Sequence, residues 1–259
     1  MLRKIISGLR RQDWTAVVIE LVVVTAGVFI SVQASNWNGQ RETDRRAAMF
    51  AQHLKDDLRE EAWGYEYYIE YYKEVAASAQ AAANGLTGKV PLSDEALLID
   101  AYRASQFHES IRRRATFGEL TSTGEIGLIR DRALRELAMR TYKASAFDDI
   151  VREGKNSRYR AAFRMAIPDD VQRKLDRACG DRVVRPGGYK GIAHSLDHAC
   201  STGLPADVIA ENAAILRADT ALVPLLRMRI ADVDTNLRSF TVYKKDFRDG
   251  LRALAREQK

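Results

Sequence analysis

Cysteine, proline and histidine are scarce in this chain: its 259 residues hold two, five and four of them. Two cysteines exclude a small scaffold held together mainly by disulfides. Few prolines leave long stretches free to be helical. Also missing are a glycine-rich phosphate loop, a Gly-x-Ser-x-Gly elbow and a kinase motif set, so no catalytic class announces itself. Intrinsic disorder is excluded, because 46% of the residues are hydrophobic and the net charge is only +6. A mean hydropathy of −0.32 excludes a polytopic membrane protein.

One long apolar run is present. Trp14 to Val32 reads WTAVVIELVVVTAGVFISV, with Glu20 its only charge. About 20 mainly apolar residues suffice for a helix to cross a bilayer, and Trp14 and Trp37, roughly 35 Å apart at 1.5 Å per residue, fall near the two headgroup layers. The alternative is a cleaved signal peptide with Arg3, Lys4, Arg10 and Arg11 as its basic start; the length of the run and Glu20 weigh against cleavage. The sequence therefore predicts a short basic tail over 1–13, a spanning helix over 14–36 and an exported domain over 37–259. Basic residues are balanced across the span, but a short basic tail stays inside while a long domain is translocated. The expected location is a bacterial inner membrane, with the N-terminus cytoplasmic and the large domain periplasmic.

Asp13, Ala16, Glu20, Gly27, Ser31, Ala34 and Asn38 fall along one side of this helix at 100° per residue. Gly27, Ser31 and Ser35 have the spacing of small residues in packed membrane helices. An intramembrane carboxylate faces protein or water and takes a partner. Glu20, Gly27, Ser31 and Ser35 are thus expected to form an association face. A proton or ion path and a shallow Glu20 reaching the interface are the competing readings.

The stretch Glu20-Leu-Val-Val-Val-Thr-Ala-Gly27, followed by Gln33-Ala-Ser-Asn36-Trp37-Asn38, resembles the N-terminal signature of a family of uncharacterised bacterial single-pass membrane proteins. A second block, from Phe117-Gly-Glu-Leu120 through Gly124 to Leu128-Ile129-Arg-Asp131 and Leu134-Arg135, is similar to that family's Gly turn and Leu-Arg helix. The likeness covers roughly the first 145 residues and departs from the family pattern at Ser35 and Gly39. It implies a membrane-anchored helical domain and no activity.

Beyond the span, apolar residues recur at three and four positions from Phe50 to Ala79, predicting one long helix from Arg41 to about Asn84, with Asn36–Gly39 the sole place for a bend. A short helix begins near Ser93, a turn occupies Thr121–Gly124, and a third long helix is expected from Asp131 to Ala166. Pro168 opens a short helix to Ala178, and two further helices are expected over 206–217 and 219–257. No segment alternates with period two. The fold class is all-α: an N-terminal transmembrane helix continuing into an antiparallel helical bundle.

Cys179 and Cys200 flank a glycine-rich loop over 179–204 that also carries His194 and His198. In an oxidising compartment a disulfide is the expected state; a zinc site of Cys179, His194, His198 and Cys200, or two free thiols, are the alternatives. Trp63, Tyr65, Tyr68 and Tyr72, with Tyr67 and Tyr71, form an aromatic cluster that reads either as core or as an interaction surface. Arg112-Arg113-Arg114 is a basic run. Yet only four of the 41 basic and two of the 35 acidic residues precede Trp37, leaving 37 against 33 in the exported part with the signs interspersed, which reads as a solvated surface without a nucleic-acid partner.

The function expected on these grounds is non-enzymatic and needs no cofactor: a structural or accessory subunit, partnered by the bilayer and by copies of itself or other membrane proteins. A periplasmic module binding a small ligand near Tyr68 and Tyr72 is the alternative.

Overall fold

The computed structural model describes residues 14–109, 112–243 and 245–256; the basic tail over 1–13 lies outside them. Among the described residues there are ten α-helices and no strand. In order they are α1 (Trp14–Leu86), α2 (Asp94–Ala104), α3 (Ala115–Ser122), α4 (Arg132–Lys143), α5 (Ala146–Lys155), α6 (Arg158–Ala166), α7 (Asp169–Cys179), α8 (Ala206–Ala218), α9 (Leu222–Arg238) and α10 (Lys245–Arg256). By its contacts the chain divides into two units, Met1–Gln52 with Gly127–Arg130, and His53–Ile126 with Asp131–Lys259.

Within the first unit, α1 is helical through Asn36–Gly39, the sole place where a bend was possible, so the spanning helix continues into the long helix as expected. The Arg41 guanidinium lies 3.7 Å from the centre of the Trp37 ring, one turn back. The Thr43 hydroxyl donates to the Gly39 carbonyl at 2.9 Å, and Gln40 donates to Asp44 at 3.0 Å. These one-turn contacts support helical geometry across the glycine. Arg130 pairs with Asp44.

The second unit is a helical bundle. α1 ends where Gly88 takes φ +70, a conformation that suits glycine, and the Lys89 N–H donates to the Asn84 carbonyl at 2.9 Å. Ser93 caps α2 by accepting the Ala96 N–H at 3.2 Å, with Asp94 and Glu95 in the first turn. α2 packs against α6, α7 and α8, burying Leu97, Leu98 and Ala101 with Phe163, Leu175 and Leu216. The carbonyls at its C-terminal end are taken by arginine and tyrosine. Tyr159 donates to Ala101 at 2.8 Å, Arg160 to Ser105 at 2.8 Å, and Arg229 to Ala104 and Gln106 at 3.4 and 2.9 Å. Cationic donors satisfy both the unpaired carbonyls and the negative end of the helix dipole.

Two expected long helices are divided. The stretch from Asp131 to Ala166 is three helices, because Ser157 caps α6 by accepting the Arg160 N–H and each piece turns its own apolar face to the core. At Gly154 in α5 an added Cβ would stand 2.6 Å from the Phe107 Cβ, so only glycine fits that approach. The stretch 219–257 is broken by a wide turn over Ser239–Tyr243, where the Tyr65 hydroxyl donates to the Phe240 carbonyl at 2.8 Å. A side chain inserted into the backbone ladder is a recognised cause of such a break. The turn expected over Thr121–Gly124 is narrower, since α3 runs to Ser122 and Gly124 takes φ +74.

Candidate functional site

The apolar part of α1 is uncovered. Every described hydrophobic residue from Val17 to Val32 exposes more than a third of its surface, and Phe29 reaches 63%. Among the described residues this is one helix long and apolar enough to cross a membrane. Glu20 and Gly27 are exposed, and Ser31 donates to the Gly27 carbonyl at 2.8 Å. That bond satisfies the serine within its own helix. Asp13 lies outside the described residues, as does the Ala16 side chain.

The aromatic cluster is core, the packing reading, and the alternative reading as an interaction surface is corrected. Trp63, Tyr65, Tyr67, Tyr68, Tyr71 and Tyr72 are all buried. Tyr65 meets the edges of Phe147, Phe240 and Phe247, and the His108 ring centre lies 4.5 Å from that of Tyr67. Burial pushes the His108 pKa down to about 4 and the Tyr67 phenol up to about 12. Six aromatics at successive turns reach more than one face of α1 because helices and loops of the second unit surround it there.

Cys179 and Cys200 form a disulfide, with Cα atoms 5.4 Å apart. Both sulfurs are thereby used, which removes half of the proposed zinc ligands. His194 has φ +68 outside any helix, so it shares no helical face with His198. His198 Nε2 instead meets the Gly180 carbonyl at 3.0 Å. Among the described residues no group of three or more His, Cys, Asp or Glu is placed to hold a metal.

The stapled loop is clasped by three charged side chains from α1 and α2. The Glu74 carboxylate accepts the N–H groups of His194, Leu196 (2.7 Å) and Asp197 (2.9 Å). Glu95 accepts the Thr202 N–H and hydroxyl, each at 2.8 Å, and the Ser201 hydroxyl at 3.0 Å. Those bonds hold the Glu95 carboxyl below its ordinary pKa. Arg103, buried, donates to the Cys179 and His198 carbonyls at 3.2 and 2.6 Å. None of the three carries a sequence signal; each is one charge on an amphipathic helix.

The basic run is paired with acids, with Arg113 and Arg114 exposed and Arg112 buried. Arg113 meets Glu60 at 2.9 Å and Arg114 meets Asp148 at 3.2 Å. Arg112 is buried against Glu61, donating Nε and Nη2 to one carboxylate oxygen at 2.8 and 2.6 Å, while the Arg113 N–H donates to the other at 2.9 Å. Arg112 Nη2 also reaches the Thr141 carbonyl at 3.1 Å, and the guanidinium lies 4.3 Å from the centre of the Phe147 ring.

Beside this pair is a cavity of about 330 Å³, lined by Glu60, Glu61, Trp63, Gly64, Tyr68, Arg112, Arg113, Phe147 and Pro186. Trp63 and Arg112 line it, and among the described residues the buried Trp63 indole N–H and Arg112 Nη1 have no hydrogen-bond partner. Gly64 sits in the middle of α1, where glycine costs about 1 kcal/mol against alanine. A Cβ there would meet nothing within 4 Å, so packing does not demand the glycine. Gly64 is the lone glycine between Arg41 and Asn84, and its nearness to Arg112 comes only with the fold. A comparison with family models, curated proteins and solved structures returns no match for this chain.

Proposed function

We propose that the chain is a non-enzymatic, single-pass inner-membrane protein whose helical domain lies in the periplasm and serves as a structural or accessory subunit of a homo-oligomer or larger membrane complex. The observation that carries this reading is the uncovered apolar segment of α1 with Glu20 inside it. So much exposed apolar surface requires a lipid or protein cover. A carboxylate at that depth calls for a partner, and Gly27, Ser31 and Ser35 lie where a second helix can approach. The Cys179–Cys200 disulfide fits an oxidising compartment. The resemblance of the Glu20–Gly27 and Gln33–Asn38 blocks to an uncharacterised family of membrane proteins belongs to the same reading.

Native mass spectrometry of the protein, extracted from its own membrane in mild detergent, tests this. Whole multiples of one chain mean a homo-oligomer, and a reproducible set of other proteins means an accessory subunit; a bare monomer overturns the proposal. The face assignment fails if Glu20→Leu and Gly27→Leu leave the assembly unchanged. The second reading, a module that binds a small ligand, is favoured by the cavity at Gly64.

A further inference from the structure

We propose that the cavity between α10 and the stapled loop binds a small organic oxyanion, a phosphate monoester or a carboxylate on a short apolar body. The cavity holds about 520 Å³, within the range of small-molecule sites. On its wall one carboxylate is held by two arginines. Glu66 accepts Nε and Nη2 of Arg248 at 2.9 and 2.7 Å, and the same two nitrogens of Arg252 at 2.7 and 2.8 Å. Glu66 and Arg248 are largely buried, whereas Arg252 lines the cavity with 41% of its side chain exposed. Arg256 stands on the same wall, exposed, and makes no hydrogen bond or ion pair among the described residues.

The charge of the ligand follows from what the wall leaves uncancelled. Glu70, the other acid on it, is taken by Lys73 at 2.8 Å. Asp246 and Asp249 of α10 are exposed and do not line the cavity. Three guanidiniums, Arg248, Arg252 and Arg256, therefore share the single carboxylate of Glu66, and two positive charges are left over. An anion fits there without displacing any ion pair. Glu66 occupies the Nε edge of Arg252; the Nη1 edge has no partner among the described residues and matches two oxygens of a phosphate or carboxylate. The C-terminal end of α10 opposes an anion, but Arg256 stands in its last turn and Arg59 takes the Leu254 carbonyl at 3.4 Å. The Tyr189 ring, Ile192 and Ala255 make the wall beside these charges apolar, so the oxyanion carries an apolar body. Tyr189 and Ile192 belong to the loop closed by Cys179 and Cys200, so the staple positions one side of the site. This inference goes beyond the assembly reading and does not depend on it.

The test is equilibrium dialysis of the full-length protein in a non-ionic detergent, near neutral pH and at low salt, with hexyl phosphate and hexanoate as probes. A chamber of micelles without protein subtracts the probe that detergent takes up. Both probes are expected to bind saturably, one per chain, with hexyl phosphate the tighter because its nearly two charges match the two spare cations. Binding of one probe alone also supports the site and names its head group. Hexanamide, which has the body without the charge, and inorganic phosphate, which has the charge without the body, are each expected to bind at least about tenfold more weakly. Arg252→Gln should weaken binding of the tighter probe at least about tenfold while the domain stays folded, because Glu66 keeps Arg248. Arg256→Gln, at an exposed position without a partner, should weaken it about threefold and leave the melting temperature unchanged. No saturable binding of either oxyanion, binding of hexanamide or inorganic phosphate as tight as that of the tighter probe, or undiminished binding in both arginine variants overturns the proposal.

Discussion

Replacing Arg112 with Met strands a carboxylate. The Glu61 side chain is 5% exposed and takes three donors, two of them from Arg112, whose own side chain is 9% exposed. Without Arg112 the carboxylate keeps only the Arg113 N–H, and the Thr141 carbonyl loses a donor as well. Opposite unit charges with centres about 4 Å apart attract by about 4 kcal/mol at an effective dielectric of about 20. Removing one partner of a buried pair costs about 3–5 kcal/mol by experience with other proteins, so both routes give the same size. For a domain of this length that is a fall of roughly 10 °C in melting temperature. Urea titration followed by circular dichroism measures it directly. Removing both charges in Arg112→Met/Glu61→Leu is expected to recover at least about half of the loss, since the stranded charge is gone and the site is otherwise apolar. Arg112→Lys should not recover it, because one ammonium cannot supply donors at two positions on a planar fork. A single-variant loss below about 1 kcal/mol, or a double variant as unstable as the single, would refute the buried-pair reasoning.

Other expectations follow from the remaining charges and the staple. Burial raises the Asp100 pKa to about 6 against an ordinary 3.8, so the folded state holds its proton more tightly and this residue weakens stability as pH rises through that window. Asp100→Asn should stabilise the domain by about 1–2 kcal/mol at pH 7, discounted for partial exposure, and leave it unchanged below pH ~4; a flat difference across that range refutes it. At Glu66, burial pushes the pKa up but the hydrogen bonds from Arg248 and Arg252 outweigh it, and the net pKa lies below the ordinary 4.5. Its contribution is therefore present above pH 4.5 and lost as pH falls through the lowered pKa, so the deficit of Glu66→Gln measured by urea titration should shrink on acidification. Removing the disulfide with Cys179→Ala/Cys200→Ala opens a loop of about 22 residues and should cost about 3 kcal/mol; an unchanged urea midpoint would show that Glu74, Glu95 and Arg103 hold the loop alone.

Helix content and helix starts were legible in the sequence because they rest on local chemistry. Ser93 before Asp94 and Glu95, Pro168 before Asp169, and Gly88 ahead of Pro91 mark boundaries within a residue or two of those observed. The breaks inside 131–166 and 219–257 were not legible. Inside 131–166 the Ser157 cap falls within an apolar period that runs on across it, and inside 219–257 the Tyr65 hydroxyl takes the Phe240 carbonyl from 175 residues away, a contact that leaves periodicity intact. The continuity of the helix through Asn36–Gly39 was legible as well, since nothing but Gly39 opposed it, and Arg41 over Trp37 supports the helix there. The Cys179–Cys200 pairing was readable from loop composition and compartment. The site at Glu61, Trp63, Gly64 and Arg112 was not, because Arg112 looks the same in sequence as its exposed neighbours.

The manner in which the stapled loop is clasped constrains how this protein can vary. Glu74 grips the loop almost wholly through main-chain N–H groups, and every residue except proline offers one of those. The grip itself therefore asks for no particular side chain from His194 to Asp197, proline apart; those letters are restrained instead by the left-handed backbone at His194 and by the burial of Ser195 and Leu196. The constancy has been handed to a position some 120 residues earlier in the chain, within a helix. In diverged versions of this fold the acid at 74 should stay fixed, whatever happens to the exposed letters of the loop it holds.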